Sequence, residues 1–147
     1  MLEREEIIEE LQRRMWLVTG VKKVARNTKA EPSVDDLPYR GIFELPDVVE
    51  EASTRGATKA LDYRRRMSVM LESFIAASSE GASSQEMFIF VEALKKQLYT
   101  GGQTLGGLCA FREVDYSRVL RPPAGDNTIG IGIALEIVYI EDTTKLF

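Results

Sequence analysis

Apolar residues near the start of the chain recur at three- and four-residue spacing: Ile7, Ile8, Leu11, Met15 and Val18. That period predicts an amphipathic helix over roughly residues 3–18. Glu3, Glu5, Glu6, Glu9 and Glu10 crowd its early turns, where carboxylates suit the positive end of the helix dipole, and Arg13 and Arg14 suit the other end. Gly20 terminates it. Val21 to Thr28 predicts a short strand, and Glu31-Pro32-Ser33 with Asp35-Asp36 a turn. From Tyr39 the period becomes two: Tyr39, Gly41, Phe43 and Leu45 share one face, Arg40, Ile42 and Glu44 the other, and Pro46 closes the strand. Residues 47–62 have no clear period and include Glu50, Glu51, Ser53, Thr54, Arg55, Thr58 and Lys59. They read as a polar excursion between two strands.

Alternation resumes from Tyr63 to Ala77, with Met67, Val69, Leu71, Ser73 and Ile75 on one face and Ser68, Met70, Glu72 and Phe74 on the other. Ser83 and Glu86 have the spacing of a capping box, which opens a helix running to about Tyr99 with Met87, Phe90, Val91, Leu94 and Leu98 as its stripe. Thr100-Gly101-Gly102 ends it. Cys109 to Leu120 and Thr128 to Ile140 form two final strands across a Pro122-Pro123-Ala124-Gly125-Asp126-Asn127 turn. The last strand is the clearest: Ile129, Ile131, Ile133, Leu135, Ile137 and Tyr139 make one apolar face. Gly130, Gly132 and Ala134 lie opposite, small enough for another backbone or subunit to approach. The order α-β-β-β-α-β-β predicts a single α+β domain: an antiparallel or mixed sheet of about five strands, covered by two helices.

Composition narrows the chemistry more than the fold. A chain of 147 residues favours one domain, and 44% apolar with 29% charged residues places it with folded proteins. No apolar run is long enough to span a bilayer, and the acidic start lacks the basic flank of a signal peptide, so an intracellular product is expected. There is no histidine and one cysteine. Ser-His-Asp and Cys-His relays and His-containing zinc sites are therefore excluded, as is an intramolecular disulfide. A net charge of −4 argues against a general nucleic-acid binder.

The motifs that remain are weak. Gly101-Gly102-Gln103-Thr104-Leu105-Gly106-Gly107 approaches a phosphate loop, but Gly107 stands where the lysine belongs and no helix follows. Thr128-Ile129-Gly130-Ile131-Gly132 lies inside a strand and fails as a dinucleotide fingerprint. Arg64-Arg65-Arg66 is the only basic run, and alternation sends Arg65 to the face opposite its neighbours. Arg112, Arg118 and Arg121 recur on and after the penultimate strand, suited to acidic groups of a neighbouring chain. Glu113 and Asp115, two apart on a strand, share a face as a candidate carboxylate pair. Cys109 lacks an activating partner, and Trp16 reads as a core or interface anchor. No catalytic residue, cofactor site or metal ligand is expected; long strands and polar excursions suit subunit association.

Across nearly its whole length the chain resembles the tail terminator (tail completion) proteins of long-tailed bacteriophages. The resemblance rests on the helix-to-strand step Leu17-Val18-Thr19-Gly20-Val21-Lys22-Lys23-Val24 and the strand Leu37-Pro38-Tyr39-Arg40-Gly41-Ile42-Phe43. It rests further on the Arg121-Pro122-Pro123-Ala124-Gly125-Asp126 turn and the closing strand from Ile129 to Tyr139. It implies a virion subunit, assembled in the host cytoplasm, that forms a homohexameric ring on the tail tube. That ring stops tube growth and docks the neck or head-completion protein, and in a contractile tail it also meets the sheath. DNA would pass transiently through a lumen whose acidity repels phosphate. Interface contacts are then expected from Tyr63, Arg64, Arg65 and Arg66, from Gly101, Gly102 and Gln103, and from Arg118, Arg121, Asp126 and Asn127. Two other readings stay open: a different neck or head-closure adaptor, and a small α+β ligand-binding domain or enzyme using arginines and carboxylates with the glycine loop.

Overall fold

Two long alternating strands organise the molecule. The computed structural model describes residues 3–28, 32, 34–55, 60–76, 80–120 and 128–143. In chain order these form α1 (Glu3–Trp16), β1 (Lys23–Arg26), a 3-10 turn (Val34–Asp36), β2 (Tyr39–Glu44), β3 (Val48–Arg55), β4 (Ala60–Ala76), α2 (Glu80–Leu98), β5 (Ala110–Leu120) and β6 (Thr128–Asp142). The six strands make one mixed sheet in the order β1-β2-β4-β6-β5, with β3 also paired to β4. Only the β1–β2 pairing is parallel; the others are antiparallel. The protein is therefore α+β, two helices against a six-strand sheet.

The helix-side face of the sheet carries the odd-numbered residues of β4 and β6. Met67, Val69, Leu71 and Ile75 are buried with Ile131, Ile133, Leu135 and Ile137. Ile7, Ile8, Leu11 and Met15 of α1, and Met87, Val91, Leu94 and Leu98 of α2, close over them into one core. This is the periodicity of the sequence turned into packing: period two from the sheet, three and four from the helices. Arg40 lies on the same side of β2 and is fully buried. Its guanidinium stacks 3.7 Å from the Phe90 ring centroid and donates to the Phe90 carbonyl at 2.8 Å and to the Ser73 hydroxyl. No carboxylate joins it among the described residues, and burial lowers its pKa to about 9.

The 47–62 stretch differs from the expected excursion. Residues 48–55 are a strand, β3, paired antiparallel with residues 60–66 of β4 across a bulge between Val49 and Glu51. Because β6 occupies one edge of β4 from Asp62 to Ala76, β2 and β3 share the other edge end to end, interrupted at 45–47. The result is an arm: β3, the first part of β4 and the end of β6. Its sequence starts without an apolar period: Val48 and Val49, neighbours on opposite faces, are both about half exposed. The helix α2 begins at Glu80, so Ser83 sits inside it and does not cap it. Gly130 is also not left open for a neighbour. A Cβ built there would meet the Phe74 ring at 2.5 Å, so the chain's own aromatic ring lies on this glycine.

Candidate interface

The arginine run is split by the pleat. Arg65 turns to the helix side, 3.1 Å from Glu141, with its guanidinium 5.4 Å from the Tyr63 ring centroid. Arg64 and Arg66 point to the outer face. Arg64 meets Glu50 at 3.3 Å, while Arg66 sits loosely between Glu50 at 3.6 Å and Glu136 at 3.8 Å. Arg112 of β5 reaches the same Glu136 at 3.3 Å. Three guanidinium groups thus share two carboxylates, and Asp62 and Asp142 lie on the same face two residues beyond Arg64.

A network at the base of the arm holds it to the body. Arg26 of β1 donates to both oxygens of Glu5 at 2.7–2.8 Å and to Glu44 of β2 at 2.6 and 3.0 Å. Arg4 of α1 bridges Glu44 at 3.0 Å and Asp47, and the Tyr139 hydroxyl of β6 donates to Asp47. Asn27, at φ 54°, donates its side-chain amide to Glu44 and accepts from the Glu44 backbone N–H. Hydrogen bonds from Arg26 are the main reason the Glu5 and Glu44 carboxyls sit below their ordinary range. Asp47 occupies the break between β2 and β3, so α1 and β6 both grip the point where the arm departs.

The glycine loop is built rather than slack. Gly101, Gly102, Gly106 and Gly107 adopt positive φ, and Leu105, at φ 50°, tucks its side chain into the core. Buried Arg14 donates to the carbonyls of Gln97, Leu98 and Thr100 at 2.9–3.0 Å, satisfying the end of α2. A carbonyl-rich helix end bound by a guanidinium is the reverse of a phosphate cradle. Gly101, Gly102 and Gln103 are exposed at its tip. The loop returns into β5 at Ala110, which lies in one cross-strand row with Val138, Arg66 and Val48. The arm base and the loop therefore share one end of the sheet.

Of the third predicted region only Arg118 is described, and it lies elsewhere. Arg118 belongs to the row Arg118–Gly132–Glu72–Gly41, about 20 Å along the strands from Arg66. Arg121, Asp126 and Asn127 lie outside the described residues. The carboxylate pair does not form. A register shift puts Glu113 opposite Leu135 and Asp115 opposite Ala134, on different faces of the sheet. Glu113 instead accepts from the Tyr99 hydroxyl at 2.9 Å and meets Lys95 at 3.3 Å. Burial pushes the Cys109 thiol up to about 12, which keeps it protonated at neutral pH. Trp16 is half exposed and lies outside the core.

At the far end from the arm, an open apolar groove of about 470 Å³ runs between Val18, Leu37, Pro38, Ile75, Ile89 and Phe90. None of the predicted interface residues lines it. Among the described residues no three acidic or sulfur side chains gather as metal ligands, and no helix is long and apolar enough to cross a membrane. Missed by sequence reasoning were Asp47, Arg4 and Tyr139, whose approach across 43 and 92 residues leaves no local signal. No protein-family model matches the chain, and no characterised protein matches its sequence.

Proposed function

We propose that the chain is a structural virion subunit of the tail-terminator type. Copies close into a ring, a hexamer, which caps the tail tube, ends its polymerisation and offers a docking surface to the neck of the head. The reading rests on the sequence resemblance. One structural observation supports it: the arm of β3, early β4 and late β6 extends past the helix-covered core and shares an end with the exposed 101–103 turn. A subunit that works by fit needs surfaces its own core does not use. The arm is long, carries half-exposed Val48 and Val49, and is braced at its root by Arg4, Asp47 and Tyr139. Its partners on this reading are its own copies, the tube protein, a neck protein and, in a contractile tail, the sheath; DNA passes through the lumen without being held.

The deciding experiment is native mass spectrometry with electron microscopy of the full chain, alone and mixed with polymerised tail tubes. Rings, free or seated on tube ends, are the expected result. A chain that stays monomeric and leaves tube ends bare overturns the reading. Charge reversal at Arg118 or Arg121 is expected to impair assembly while the monomer stays folded, checked by circular dichroism.

A further inference from the structure

We draw no further inference here: the strongest candidate, the open apolar groove between Val18, Leu37, Pro38, Ile75, Ile89 and Phe90 at the end of the sheet far from the arm, carries none, because nothing in the structure shows what covers it.

Discussion

The sheet is one surface with two regimes. From Met67 to Ile75, β4 lies between β2 and β6 under two helices, and every second residue is sealed in the core. From Asp62 to Arg66 the same strand lies between β3 and β6, and Arg64, Arg65 and Arg66 are held by ion pairs. The difference shows what each kind of interaction can do. Apolar burial fixes the body, while the arm is positioned by charges at its root.

Several substitutions would break this contrast if it is misdrawn, beginning with the most severe. Leu71→Ala should cost about 2–5 kcal/mol in urea denaturation, since it opens a cavity under both helices. A cost similar to that of an arm substitution would mean the core is not where stability resides. Arg40→Ala should lose about 2 kcal/mol by removing packing and leaving the Phe90 carbonyl without its donor, and Arg40→Met should regain most of it. The rescue distinguishes a packing role for this cation from a need for its charge. Asp47→Ala should cost about 1–2 kcal/mol. Its sharper signature is hydrogen exchange, which should quicken in residues 48–55 while residues 67–75 stay protected. Uniform acceleration would show that the root network belongs to the body.

Acid should act first on the ion pairs of α1 and of the arm root. Glu10 is held down to about 2, chiefly by a hydrogen bond from Arg13 and further by one from Arg14, and Glu5 and Glu44 are lowered by Arg26. Their folded pKa values lie below the ordinary 4.5, so their contribution is complete above that value and is lost as pH falls from about 4.5 toward 2. Glu72 has the opposite sign: burial raises its pKa, so its protonation favours the folded chain. Urea midpoints at pH 7 and pH 3 should fall with acid, and less so in Glu10→Gln. At the small end, Val49→Ala should change stability by no more than about 0.5 kcal/mol, because Val49 is half exposed on the arm.

Much of the body was legible in the chain because burial leaves a local period. The faces of β4 and β6, the stripes of both helices and the opposite pointing of Arg65 and its neighbours all follow from repeats of two, three and four residues. The positions of the residues expected at an interface were legible only in part. Tyr63, Arg64 and Arg66 do lie on the arm, and Gly101, Gly102 and Gln103 do form an exposed tip. Glu113 and Asp115 were misjudged because a bulge shifts the count by one, and nothing in their neighbourhood announces it. Residues 48–55 read as an excursion because the strand opens on Val48, Val49 and Glu50, exposed on both faces, where nothing requires alternation.

The sequence by itself determined that this chain carries no imidazole and cannot close a disulfide on itself, and that its sheet has one strongly apolar side. Those properties depend on residue types and on spacings within a single element. Only the tertiary structure decided that Arg14 satisfies the end of α2, that Arg40 is buried beneath it, and that Asp47 ties the arm to α1 and β6. Each of these joins groups far apart in the chain, where partners are chosen by the packing of the whole sheet and not by their neighbours in sequence.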